Sequence, residues 1–217
     1  MHNNNLPLAL TMGDPAGIGP EIIVKSINKL KMINYVVFGD AMVFENMIKI
    51  LGIPLRLNCI NSLSEAIFDK DVLNLLVTSK LKSKPNFGET SKESGRASYD
   101  AILETIKLAK QKKLLGVVTA PINKKALNLA NISFPGHTEI FSEHSKSNNV
   151  SMMLCNDSIK TVLVTLHCSM AEALKKINVE HEFKAIKNAY IGAKMFGIKD
   201  PIIAVAALNP HAGEMGL

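Results

Sequence analysis

Leu6-Pro7-Leu8-Ala9-Leu10-Thr11-Met12-Gly13-Asp14-Pro15-Ala16-Gly17-Ile18-Gly19-Pro20-Glu21 is the stretch whose reading decides the fold. Leu6–Met12 is an apolar run of strand length. Gly13–Gly19 is a loop whose glycines tolerate positive φ and close backbone approach. Pro20 suits the first position of a helix, where its missing N–H costs nothing, and this helix is expected to reach about Leu30. A strand feeding a helix through a glycine-rich turn is the first half of a βαβ unit.

The alternation continues outward from there. Tyr35–Phe38, Leu55–Ile60, Val72–Val77 and Leu114–Thr119 read as strands, and Asp40 can cap the helix that follows the second of them. Lys80–Glu93 is polar, contains Pro85 and Gly88, and reads as an exposed loop. Ser94–Lys113 is expected to be a long helix with Ile102, Ile106 and Ala109 on one face. Pro121–Ala130 and His137–Lys146 read as helices. Val150–Cys155 and Thr161–Leu166 read as strands, with Asn156-Asp157 suited to an antiparallel turn. Val179–Phe196 is a helix with Phe183, Ile186 and Tyr190 on one stripe. Ile202–Ala207 then reads as a buried strand. This order predicts an α/β protein with a mostly parallel sheet covered by helices.

Composition narrows the class. The chain has 217 residues, 47% of them hydrophobic, which suffices for a packed core. No apolar run reaches the roughly 20 residues of a membrane span, and Met1–Asn5 lacks a signal-peptide layout. Cys59, Cys155 and Cys168 show no metal-type spacing and no disulfide framework, so a reducing cytoplasm is expected. The net charge of +6 suits anionic ligands such as phosphates. The lysines are spread over helices and Trp is absent, which argues against a nucleic-acid surface.

Several segments place chemistry at element ends. Gly13–Glu21 is neither a Rossmann G-x-G-x-x-G nor a P-loop; on spacing alone it reads as a tight β-to-α turn, with the Asp14 carboxylate at the strand end. Thr119-Ala120-Pro121-Ile122-Asn123-Lys124 enters a helix, where backbone N–H groups and Lys124 could meet an anion or simply face water. Pro135-Gly136-His137-Thr138-Glu139 puts a histidine and a hydroxyl at another helix start, where Thr138 could equally be a helix cap. Val164-Thr165-Leu166-His167-Cys168 sets His167 at a strand end, and Leu208-Asn209-Pro210-His211-Ala212-Gly213-Glu214 does the same for His211. Neutral imidazoles suit Zn and other divalent ions, although the spacing also fits two unrelated polar residues. His144 and His181, on helices among polar neighbours, receive no role.

Taken in order, Leu10–Glu21, Thr119–Lys124, Phe134–Glu139 and Leu208–Glu214, together with Ser94-Gly95-Arg96-Ala97-Ser98-Tyr99, closely resemble the 4-hydroxythreonine-4-phosphate dehydrogenase family of pyridoxal phosphate biosynthesis. The resemblance runs from Leu8 to Leu217. It implies an α/β/α fold of the isocitrate and isopropylmalate dehydrogenase type. It divides the chain into a first α/β domain, residues 1–125, and part of a second, residues 126–217. It implies a homodimer with a shared active site. Its reaction is NAD- or NADP-dependent oxidation of 4-phosphooxy-L-threonine, then decarboxylation to 3-amino-2-oxopropyl phosphate.

By the same resemblance His137 and Thr138 contact substrate. His167 and His211 are two of three histidines holding a divalent metal, Zn, Mg, Mn or Co. Asp14 and Lys124 are candidates for supporting or phosphate-binding groups. Family members continue past Leu217 and carry the third histidine there, so the sequence reads as C-terminally incomplete and its own activity is expected to be low. Two other readings accompany this one: a paralogue acting on phosphorylated threonate or erythronate, and a chain that only binds ligand or dimerises.

Overall fold

The structure is a computed structural model that describes residues 6–29 and 34–214; Leu30, expected to end the first helix, and Leu217 lie outside the described residues. It resolves into two compact units, one up to Ser147 and the other from Asn148.

The first unit is built on five strands, β1 (Leu8–Thr11), β2 (Tyr35–Asp40), β3 (Arg56–Ile60), β4 (Val72–Ser79) and β5 (Gly116–Thr119). They form one parallel sheet in the order β3-β4-β2-β1-β5. Helices α1 (Gly19–Lys29) and α2 (Ala41–Leu51) follow β1 and β2, and α3 (Lys92–Lys110) follows β4. The α/β class and the parallel sheet expected above are therefore present, with helices on both faces.

Alternation along β2 sorts its side chains between those faces. Val37 packs with Ile23, Val24 and Ile27 of α1 and Val43, Phe44 and Met47 of α2. Val36 and Phe38 pack with Ala101 and Leu108 of α3. Helix α3 is buried on two sides, since Tyr99, Ile102 and Ile106 meet Leu127, Ile132 and Ile140 from two further helices. These are α4 (Lys124–Leu129) and α5 (His137–Ser145). A Cβ on Gly95 would lie 2.0 Å from the Ala126 carbonyl oxygen, so the close seat of α3 against α4 requires glycine there. These contacts keep α4 and α5 in the first unit, although the expected division at 125/126 would separate them from α3.

Helix α4 starts later than expected. Pro121 and Ile122 stay outside it, and the Asn123 side chain caps it by accepting from the Lys125 and Ala126 N–H groups at 3.0 and 3.1 Å. Inside the sheet the buried Thr11 hydroxyl of β1 has no hydrogen-bond partner among the described residues, whereas Asn74 of β4 is fully engaged. Asn74 is 1% exposed, and its carboxamide bonds both the N–H and C=O of Ile67 and the side chain of its register neighbour Asn58.

The second unit contains an antiparallel pair, β6 (Met153–Cys155) and β7 (Lys160–Val162), as its sequence predicts. Helix α6 (Met170–Lys176) follows, then α7 (Val179–Met195). Residue Ser169 and Glu172 form a reciprocal capping box that starts α6, a helix not expected above. The anticipated strand Ile202–Ala207 is not formed: Ile202 is 98% and Val205 60% exposed, and no described strand pairs with this segment. A strand needs a lateral partner for its N–H and C=O groups, and among the described residues β7 pairs with β6 alone. The expected strand at Thr161–Leu166 also stops early, at Val162.

Candidate functional site

The strand order places β2 on one side of β1 and β5 on the other. The crevice outside the carboxyl ends of β1 and β5 is thus the topological switch point, where open α/β sheets take their ligands. Two of the loops singled out in the sequence meet there. The Asp14 N–H donates to the Pro121 carbonyl at 2.9 Å. Gly13 sits at φ +71°, and a Cβ on it would fall 2.4 Å from the same Pro121 oxygen. Only glycine permits that backbone approach. From α3, the Ser98 hydroxyl donates to the Gly13 carbonyl at 2.8 Å.

Asp14 is buried, and its carboxylate turns back on its own loop to accept from the Ala16 N–H at 3.0 Å. Lys124, by contrast, is exposed. The N–H groups behind it are capped by Asn123, so the anion site anticipated at the start of α4 is occupied by the protein's own side chain. Asn123 reaches further: its Nδ2 donates to the Thr90 hydroxyl at 3.3 Å.

His137 and Thr138 occupy the first turn of α5. The helix is capped by Gly136 rather than by Thr138, and the Thr138 hydroxyl has no side-chain partner among the described residues. The His137 Nε2 is buried without a hydrogen-bond partner there, and burial pushes the imidazole below its ordinary 6.5. A neutral imidazole with a free ring nitrogen is a group prepared for a ligand, since an orphaned buried polar atom costs free energy. At the far end of α5, the His144 Nε2 hydrogen-bonds the Tyr99 hydroxyl at 2.5 Å. Burial raises the Tyr99 phenol above its ordinary value. His144, given no role in the sequence, therefore fastens α5 to α3.

The two histidines expected to hold metal, His167 and His211, lie in the second unit. His167 is exposed, has φ +48°, and forms no hydrogen bond among the described residues. His211 stands in a turn rather than at a strand end, and its Nδ1 pairs with the Glu214 carboxylate. A carboxylate on Nδ1 leaves the Nε2 lone pair available, an arrangement common to metal-binding histidines. The donor chemistry of His167 and His211 thus suits a divalent ion. Among the described residues, however, no three His, Cys, Asp or Glu side chains gather into a metal cluster. No hydrogen bond joins His167 to His211, so the structure shows two candidate ligands and not a completed site. No described helix is long and apolar enough to cross a membrane.

Comparison with known proteins places this geometry. Residues 31–217 match the sequence profile described as pyridoxal phosphate biosynthetic protein PdxA. The chain is 50% identical over 212 residues to a 4-hydroxythreonine-4-phosphate dehydrogenase of Beijerinckia indica subsp. indica, covering 97% of this chain and 63% of that protein. It is 33% identical over 213 residues to a D-threonate 4-phosphate dehydrogenase of Cupriavidus necator, covering 97% of this chain and 64% of the relative. The crystal structure of a 4-hydroxythreonine-4-phosphate dehydrogenase from Burkholderia phymatum superposes with a TM-score of 0.88 at 33% identity, over 98% of this chain and 66% of that one. The chain thus spans less than two thirds of the length of each of these relatives.

Proposed function

Because the chain belongs to the PdxA family of pyridoxal phosphate biosynthetic proteins, we propose that its activity is the NAD- or NADP-dependent oxidation of 4-phosphooxy-L-threonine. In this reaction the substrate's secondary C–H passes as hydride to the nicotinamide, and its hydroxyl loses a proton. The resulting β-keto acid releases CO₂ to leave 3-amino-2-oxopropyl phosphate. The 50% identity to a dehydrogenase named for this substrate carries the proposal.

Each residue has a role in this scheme. The His137 Nε2, buried and unpartnered, supplies a neutral hydrogen-bonding group to the substrate, and the Thr138 hydroxyl beside it supplies a second. Asp14 is spent on shaping the loop after β1, so its contribution is positional. Lys124, exposed at the same edge, is a phosphate contact. His167 and His211 would hold the divalent ion, with Glu214 orienting the His211 ring. When bound, such an ion supplies Lewis-acid polarisation of the substrate oxygen. The proposal includes a cytoplasmic homodimer.

The test is nicotinamide reduction with 4-phosphooxy-L-threonine and with D-threonate 4-phosphate, each with a divalent ion present. Preferential turnover of the first is expected; preference for the second assigns the chain to the threonate branch, a reading the Cupriavidus relative favours. No turnover of either substrate by a version extended to the length of its relatives overturns both readings. Metal binding followed by calorimetry is a separate check: Glu214→Ala is expected to weaken it on the order of tenfold.

A further inference from the structure

The loop between β4 and α3, residues 80–91, has no part in the scheme above, yet it crosses the sheet edge where ligands bind. Three ties hold it there. At its start, the Leu81 N–H donates to the Asp40 carboxylate at 2.7 Å. In its second half, the Gly88 N–H donates to the Ala16 carbonyl at 2.8 Å. At its end, the Thr90 hydroxyl accepts from Asn123 at 3.3 Å. Asp40 closes β2, Ala16 lies in the loop after β1, and Asn123 in the loop after β5. The loop therefore spans the carboxyl ends of three neighbouring strands, the switch point included.

The stretch between the first two ties carries Lys82, Lys84 and Phe87, all exposed, Phe87 to 58%. Neither lysine has an ion-pair or hydrogen-bond partner among the described residues. An anchored loop that keeps an aromatic ring in water forgoes the free energy of burying it. A ring and two unpaired cations carried on one loop match a ligand that has both an aromatic base and phosphate groups.

We infer that loop 80–91 binds the nicotinamide dinucleotide, with Phe87 against the adenine base and Lys82 and Lys84 on the phosphates. The phosphorylated four-carbon acid has a phosphate but no ring, so the dinucleotide is the better match. The inference rests on the dehydrogenase reading, which supplies that cofactor.

The experiment titrates NAD⁺ and NADP⁺ into the full chain by calorimetry at two salt concentrations. K82Q/K84Q is expected to weaken binding about fivefold and flatten its salt dependence, with K82R/K84R restoring both. Phe87→Ala is expected to weaken binding at least about fivefold, with Phe87→Tyr restoring it. Unchanged affinity in these variants, or no dinucleotide binding by the parent chain, overturns the inference. So does a Phe87→Ala change in sedimenting mass without a change in affinity, which would make the loop a contact between copies. The two levels separate cleanly. Loop-dependent binding without turnover of either phosphorylated acid by the extended version sinks the dehydrogenase reading alone. Turnover whose dinucleotide KM ignores the loop variants sinks the loop assignment alone.

Discussion

The sequence shows His137 as a polar residue at a helix start, which the family resemblance marks as a substrate contact. Its burial, which leaves Nε2 without a partner, is a tertiary fact. It has a consequence for stability. Burial lowers the folded-state pKa below the ordinary 6.5, so the folded chain binds fewer protons at this site than the unfolded chain does. The contribution is fully present above 6.5 and is lost as pH falls through the depressed value. Denaturant titrations across that range should show the parent chain losing stability that His137→Asn retains. Parallel pH profiles for the two proteins would refute the assignment. Asp14, a carboxylate noted at a strand end, accepts from the Ala16 N–H through Oδ1, a contact within its own turn.

At the scale of elements, Asp40 does more than its cap position announces. Its Oδ1 accepts from the Met42 and Val43 N–H groups, and its Oδ2 accepts from Leu81. One buried carboxylate thus starts α2 and fixes the loop after β4. Asp40→Ala is expected to cost about 2 kcal/mol in urea denaturation, the sum of a lost cap and an orphaned donor. Asp40→Asn can keep the cap through its carbonyl oxygen, but it turns an N–H toward Leu81. It should therefore cost less overall while still speeding amide exchange at Leu81. Equal loss in both variants would show that the Leu81 contact contributes little. The cap was readable because Asp before an apolar run is a local signal; the Leu81 bond joins distant segments, and no local signal reports it. Helix α6 shows a legible signal passed over, since Ser169 and Glu172 have the spacing of a capping box.

For the molecule as a whole, the two units differ in how they are held together. The first has three apolar clusters, with Phe38, Phe44, Leu73, Leu75 and Ile102 fully buried. Among the described residues of the second, the buried hydrophobic residues are Ala185 and Ala193, while Val179, Met195 and Ile202 are largely exposed. Local opening should therefore be easiest in the second unit. Limited proteolysis is expected to cut first within residues 148–214 and to leave a resistant fragment ending near Ser147; first cuts inside the sheet of the other unit would contradict this. Sequence alone determined the βα alternation, the parallel sheet and the candidate histidines, because apolar periodicity, glycine and proline signals and caps act over a few residues. Tertiary structure alone decided that the loops after β1 and β5 close on each other, that Asp14 serves its own turn, and that loop 80–91 lies across three strand ends. It also decided that Ile202–Ala207 is not a strand here. The physical reason is the same in each case: backbone groups and buried polar atoms take partners from chain segments far away in sequence, and an apolar run becomes a strand only where a neighbour offers it hydrogen bonds.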